Sequence, residues 1–473
     1  RSSDLFVFGG NYCFTDRFYD YSDPNNQVNL KKMIQYNIEF LDKFDSLFDQ
    51  ATIGSFWKDI GIRAVRDGNG NIDVLYDNSG MDITLGMLAQ KGITDIIGAA
   101  LIWGNREAMP TAWLDGLTNA EKEQALKVFV QKIIKEYSNP NKTVSSVDIA
   151  QPFDASGNVR WKTVNASIKT WEVLNEPYYV GTFDFLGTTE QAIKKIFDWA
   201  DEARQYVYNN YYTAGQPKND INLMLNDYVF LINGNKPAFD SLKSILEARD
   251  PNDSTKPLVK IDILGIQAHH FVDNVYIDET HLGGFDIPYQ LDNLKSMLDL
   301  YTSLAERTGR DVYITEFEMP DNNHPIVGSP WRGATWNEAA QAQYIKDFYT
   351  LVSSYTSIKG LTYWDFVDQP NDQWCPDSGV MSSDVTIVNP STYEMDIVPK
   401  LAYQELYNFI TSHKMVPGTT VTKTTNTSGM ADFGLIFPGR YKVTIYDPVS
   451  GEIKSGYYDF GGQDDLLLNF KNM

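Results

Sequence analysis

Short apolar runs bounded by polar or Gly-rich stretches recur eight times along the chain: Leu5 to Gly9, Gln50 to Gly54, Asp95 to Leu101, Thr170 to Val173, Asn222 to Leu225, Ile261 to Ile266, Val312 to Thr315 and Gly360 to Trp364. Runs this short, without strict alternation, are typical of strands buried on both faces, as in a parallel sheet. Between them the apolar positions take a helical period. The clearest case is Thr118 to Tyr137, where Thr118-Asn-Ala-Glu121 predicts a capping box and Leu126, Phe129, Val130, Ile133, Ile134 and Tyr137 share one face. Similar spacing predicts helices over Asn29 to Phe48, Thr188 to Tyr208, Lys236 to Arg249, Tyr289 to Arg307, Trp336 to Ser354 and Leu401 to Ser412. Strand and helix alternating eight times is the pattern of a (β/α)8 TIM barrel, expected over residues 1–415. Val147-Asp-Ile-Ala-Gln and Ala155-Ser-Gly-Asn-Val, between the third and fourth strands, predict an added hairpin.

After about Val416 the helical period disappears. Alternating segments at Thr420 to Thr425, Ala431 to Phe437, Arg440 to Tyr446, Ile453 to Phe460 and Leu466 to Phe470 predict a small all-β, sandwich-like domain over 416–473. It has no row of exposed Trp, which favours a packing or spacer role over carbohydrate binding.

Composition narrows the partners. With 473 residues the chain is long enough for one large core plus a smaller unit. A net charge of -22 and a pI near 4.6 oppose binding to nucleic acid or anionic membranes. A neutral substrate fits better, and 10 Trp, 28 Tyr and 25 Phe supply flat faces suited to sugar rings. No apolar run is long enough to span a bilayer. The chain starts Arg1-Ser-Ser-Asp without an initiator Met, apolar signal core or lipobox, which suggests that any export signal has been removed or left off; an extracellular, periplasmic or cell-surface location is the expectation. A monomer is expected. The two cysteines, Cys13 and Cys375, follow the first and last strands, which are neighbours in a closed barrel; they are either free thiols or a disulfide that joins the ring.

The candidate chemistry sits at strand ends. Glu176 and Glu316 each follow an apolar run, in Thr170-Trp-Glu-Val-Leu-Asn-Glu176 and Val312-Tyr-Ile-Thr-Glu316, and the carboxyl ends of barrel strands carry the active site of this fold. Two acids from widely spaced strands meeting in one cleft is the arrangement that glycosidic bond cleavage needs. Asn175 offers an amide to a sugar hydroxyl. Trp171 and Tyr178 stand close by in sequence. The fifth strand ends Asn226-Asp227-Tyr228, the sixth Gln267-Ala-His269-His270, and the eighth carries Trp364, with Trp374 beyond. Only one of His269 and His270 can face inward, because neighbours alternate across a strand. An inward His, with Gln267 as a second donor to Glu316, would hold that carboxylate in its ionised form.

Taken in order and spacing, Asn175-Glu176, Asn226-Asp-Tyr228, Gln267-Ala-His269, Ile314-Thr-Glu316, Trp364 with Trp374, and Pro399-Lys-Leu-Ala-Tyr403 resemble the motifs of glycoside hydrolase family 10, best known for endo-β-1,4-xylanases. The resemblance runs from about residue 5 to 412. It implies a retaining double displacement with Glu176 as acid/base and Glu316 as nucleophile, and a polysaccharide or oligosaccharide substrate. Asn175, Gln267, His269 and Trp364 would line the site around the cleaved sugar. Lys58, Trp103, Tyr178, Asn226 and Trp374 complete the expected substrate-binding set, with Trp331 as a further stacking platform. The chemistry requires no metal or cofactor, and His281 and His324 are isolated in loops. Departures are concentrated in sugar binding. The family's Glu-Asn pair is missing from Thr52-Ile-Gly-Ser-Phe-Trp-Lys58, and two histidines give way to Ala99 and Gly104, near Asn105 and Arg106. Glu318 stands where Asp is usual. A hydrolase of another β-glycan and a noncatalytic glycan-binding protein are the alternatives.

Overall fold

The computed structural model describes residues 6–12, 26–53, 61–104, 111–213, 215, 218–231, 236–269, 291–321, 337–368, 377–387, 393–413, 422–426, 431, 439–446, 450 and 453–460. Eight parallel strands close a ring: β1 (Val7–Asn11), β2 (Gln50–Ile53), β3 (Asp95–Gly98), β4 (Thr170–Asn175), β5 (Asn222–Asp227), β6 (Ile263–His269), β7 (Asp311–Glu318) and β8 (Ile358–Tyr363). Each pairs with the next, and β8 pairs with β1 through Val7–Gly360 to Gly10–Tyr363. All eight runs read from the sequence became these strands. The helices are α1 (Asn26–Asp45), α2 (Ser79–Gln90), α3 (Asn119–Tyr137), α4 (Thr189–Asn210), α5 (Lys236–Glu247), α6 (Leu291–Thr308), α7 (Glu338–Ser353) and α8 (Leu401–His413). The fold is therefore a (β/α)8 barrel.

Local sequence accounts for the helix starts. Thr118 caps α3 and Thr188 caps α4, each accepting from the backbone N–H three residues on while the Glu121 or Gln191 side chain answers the cap's own N–H. On α3 the six predicted apolar positions are all buried against the barrel wall, each contributing about 1.5–3 kcal/mol relative to exposure. Within the ring, Ile97, Met224 and Ile263 form a small plug with Tyr313, separate from the main core outside the strands.

Antiparallel hairpins decorate this frame. An added hairpin is present between β3 and β4, but its arms are Thr143–Val147 and Trp161–Asn165, flanking the expected segments 147–151 and 155–159. Others join Arg63–Arg66 to Ile72–Leu75 and Met381–Ile387 to Tyr393–Pro399. In the C-terminal segment, Gly439–Tyr446 pairs with Ile453–Phe460, while Thr422 to Thr425, expected in a strand, belongs to no strand among the described residues. The expected strand at 466–470 lies outside the described residues, as does nearly all of that at 431–437. No helix among the described residues is long and apolar enough to cross a membrane.

Candidate active site

Irregular register near the mouth of the barrel sets the geometry of the site. Between β6 and β7, Ile266 opposes Ile314 but Gln267 opposes Glu316, so Thr315 is an extra residue in β7. Between β4 and β5, Met224 opposes Glu172 but Leu225 opposes Leu174, leaving Val173 extra in β4. A bulge turns consecutive side chains toward one side, which strict alternation forbids. The consequence is direct: Thr315 Oγ1 donates to Asn226 Oδ1 at 2.6 Å, and the next residue, Glu316, accepts from Asn226 Nδ2 at 2.7 Å.

Glu176 begins the loop after β4 with φ 51, in the left-handed region that a residue with a β-carbon seldom occupies. Such a conformation costs about 1–3 kcal/mol and persists only where surrounding contacts impose it. Here the Glu176 N–H donates to the Asn226 carbonyl at 2.8 Å, tying the turn to the next strand.

The two carboxylates receive different donors. Glu176 Oε1 accepts from Gln267 Nε2 at 3.0 Å and Oε2 from the Trp103 indole at 2.8 Å, so both donors are neutral. Glu316 accepts from Asn226 on Oε1, while its Oε2 lies 2.8 Å from His269 Nε2. His269 Nδ1 in turn lies 2.5 Å from Glu318 Oε1. Asn175 links the halves, its Oδ1 accepting from Gln267 at 3.0 Å and from Asn226 at 3.1 Å. All of these side chains except Trp103, which is half-buried, are buried.

Burial and then the negative charge of Glu316 push the Glu176 carboxyl up to about 7, against the opposing donors Gln267 and Trp103. Burial works against a charged His269, but the carboxylates of Glu318 and Glu316 outweigh it and hold the imidazole well above its ordinary value. An imidazolium with an N–H toward each carboxylate satisfies both contacts at once. Two further acids lie close by. Burial pushes Asp227 up to about 8 although the Tyr178 and Val229 N–H groups donate to it. Glu172 is raised well above its ordinary range by burial and by Glu316.

Of the residues expected from sequence, Glu176, Glu316, Asn175, Asn226, Gln267, His269 and Trp103 form one hydrogen-bonded cluster. Gln267, expected on Glu316, instead serves Glu176, and Asn226 takes the place on Glu316. Trp103, expected as a stacking platform, also gives its N–H to Glu176. Trp364 is half-buried, with its ring edge-on to His269 at a centroid distance of 6.0 Å. The Tyr178 hydroxyl is 3.2 Å from the Ser241 hydroxyl. Lys58, Trp374, Trp331, Asn105, Arg106, His270, His281, His324, Cys13 and Cys375 lie outside the described residues. Sequence reasoning did not single out Glu172, Ser378 or Asp365. Glu172 lies in the quoted strand four residues before Glu176 and Asp365 is adjacent to Trp364, whereas Ser378 has no local signal at all.

At one of the departures the backbone explains the residue. A β-carbon on Gly104 would stand 2.2 Å from the Gly181 carbonyl oxygen in the loop after β4, so no side chain fits there without moving that loop.

Residues 64–409 match the family model for glycosyl hydrolase family 10. The fold is similar to that of xylanase 10B from Thermotoga maritima (TM-score 0.52, 16% identity, covering 86% of this chain and 96% of that one). It is also similar to xylanase 10B from Thermotoga petrophila in complex with xylobiose (0.51, 15%, 86% and 94%). A third likeness is xylanase 10C from Cellvibrio japonicus in complex with xylopentaose (0.51, 15%, 86% and 67%). No curated protein matches the chain. The family match covers most of the barrel and well over half of the sequence, and the chain belongs to glycosyl hydrolase family 10.

Proposed function

We propose that this family 10 member is a retaining hydrolase of β-linked polysaccharide, with xylan or decorated xylan cut within the chain as its substrate. The observation that carries this reading is the unequal treatment of two glutamates within one hydrogen-bonded cluster. Glu176, with a carboxyl near 7, holds its proton below neutral pH and suits proton delivery to a glycosidic oxygen. Glu316, with Asn226 and His269 on its two oxygens, suits attack on the anomeric carbon. In the first step the C–O bond breaks as Glu316 bonds to the anomeric carbon, and the Glu176 proton goes to the leaving oxygen. In the second, Glu176 takes a proton from water as that water displaces Glu316, so the configuration is retained. Asn175, its oxygen already engaged by Gln267 and Asn226, has its amide N–H groups to offer a sugar hydroxyl.

A second reading keeps the chemistry and changes the glycan. It is favoured by Gly104, where the Gly181 carbonyl occupies the space of a side chain that family xylanases use to grip sugar. Purified protein incubated with xylan, arabinoxylan, mixed-linkage β-glucan and mannan, followed by reducing-sugar release, separates the two. NMR of the first-formed product from xylan oligosaccharides should show the β-anomer. An α-anomer first, or binding without any release, overturns the retaining hydrolase.

A further inference from the structure

The hydrogen-bonded chain behind Glu316 does not stop at Glu318. Glu318 Oε2 lies 3.3 Å from the Ser378 hydroxyl, which lies 3.0 Å from Asp365 Oδ2. Glu318 and Asp365 are both 2% exposed, and Ser378 is fully enclosed. A serine hydroxyl carries one proton and donates to one acceptor. Two buried carboxylates on the same hydroxyl would leave one oxygen facing its lone pairs, so a proton must also come from one of the acids. Glu318 has its other oxygen against the His269 imidazole and fits the anionic role.

We propose that Asp365 is protonated and, through Ser378, is a positioning residue for the nucleophile: Asp365 Oδ2–H donates to Ser378 Oγ, and Ser378 Oγ–H donates to Glu318 Oε2. Glu318 is thereby fixed against His269, and His269 aims Glu316. This rests on Glu316 being the nucleophile.

The segment that presents Ser378 is shaped for this task. Asp377 has φ 57, and it and Glu176 are the two non-glycine residues with positive φ among those described. A β-carbon on Gly379 would stand 2.3 Å from the Asp368 backbone nitrogen, so that position admits only glycine as the loop presses onto the extension of β8. Ser378 thus sits between a strained residue and an obligatory glycine, and the Tyr363 hydroxyl donates to its carbonyl at 2.7 Å. On the outer side Lys400 stands between two acids, 2.8 Å from Asp321 and 2.9 Å from Asp368.

The test uses the full chain with Ser378→Ala, Asp365→Ala and Asp365→Asn. The first readout needs no turnover: the downfield imidazole N–H proton resonance of His269 should move in both alanine variants and stay in place in Asp365→Asn, whose amide supplies the same donor. The second is hydrolysis of an activated aryl β-glycoside, whose leaving group needs no help from Glu176. Both alanine variants should lose kcat by roughly tenfold with KM unchanged, and the double variant should lose no more than either single one. Asp365→Asn should retain wild-type kcat and pH profile. An imidazole resonance unmoved in the alanine variants, or a pH profile displaced in Asp365→Asn, overturns the assignment. Loss of all turnover in the wild type would instead count against the hydrolase reading, leaving the resonance to decide this one.

Discussion

Glu176 and Glu316 are the same side chain at the ends of two barrel strands, and their surroundings give them different chemistry. On the Glu176 side the donors are an indole and an amide, the backbone is held at positive φ, and burial leaves the carboxyl near 7. On the Glu316 side an imidazole raised well above its ordinary value stands against the carboxylate, backed by a second carboxylate and a buried serine. Neutral donors leave an acid its proton in a dry site, whereas a cationic donor favours the anion. The asymmetry lies in what each glutamate touches.

The strongest way to break this contrast is Glu316→Gln. It removes the nucleophile but keeps the size and the hydrogen bond from Asn226. Turnover should fall by at least about 10^4-fold on every substrate, with an unchanged circular-dichroism spectrum. Retained activity would remove Glu316 from the mechanism. Glu176→Gln should cost about 10^2–10^4-fold on polysaccharide and far less in the first step on an activated aryl glycoside, which needs no acid. Added azide should restore the second step and yield a glycosyl azide. Equal losses on both substrate types would show that Glu176 does not supply the proton.

Sequence pattern went far toward this picture because barrel strands are written locally. Each buried run keeps its apolar character, and the capping box at Thr118 is complete within four residues. Helix α2 (Ser79–Gln90) escaped notice because Gly80 and Gly86 and the polar Asp82 and Thr84 blur its face. The site itself was legible as far as residue identities at strand ends. Which donor meets which carboxylate was not, because the extra residues at Val173 and Thr315 are set by pairing between strands and reverse the expected side-chain directions. Ser378 was invisible for a further reason: it reaches Glu318 from a loop beyond β8, far away in sequence.

His269 sharpens the contrast at intermediate size. His269→Ala would leave Glu316 and Glu318 buried without their shared partner. Breaking such a set should cost roughly 3–5 kcal/mol of stability, together with about a hundredfold in kcat. The folded-state pKa of His269 is raised above the free value, so its stabilisation is fully present below about pH 6.5 and is lost as pH rises through the higher folded value. Denaturant melts should therefore show the variant's deficit largest at acid and neutral pH and shrinking at alkaline pH. A deficit independent of pH would mean that His269 is neutral in the fold.

The smallest effect is the most specific to Glu176. The Trp103 indole donates to its Oε2 and favours the ionised form, opposing burial and the charge of Glu316. Trp103→Phe keeps an aromatic ring but removes the donor, so the Glu176 carboxyl should rise above its present value near 7. An acid must hold its proton to act, and kcat/KM falls as pH passes its pKa; the alkaline limb should therefore move to higher pH by about one unit. The acid limb should stay where it is, since the Trp103 indole donates to Glu176. Movement of both limbs together would mean that the two glutamates titrate as one coupled pair, and a shift of the alkaline limb to lower pH would mean that the indole favours the protonated acid.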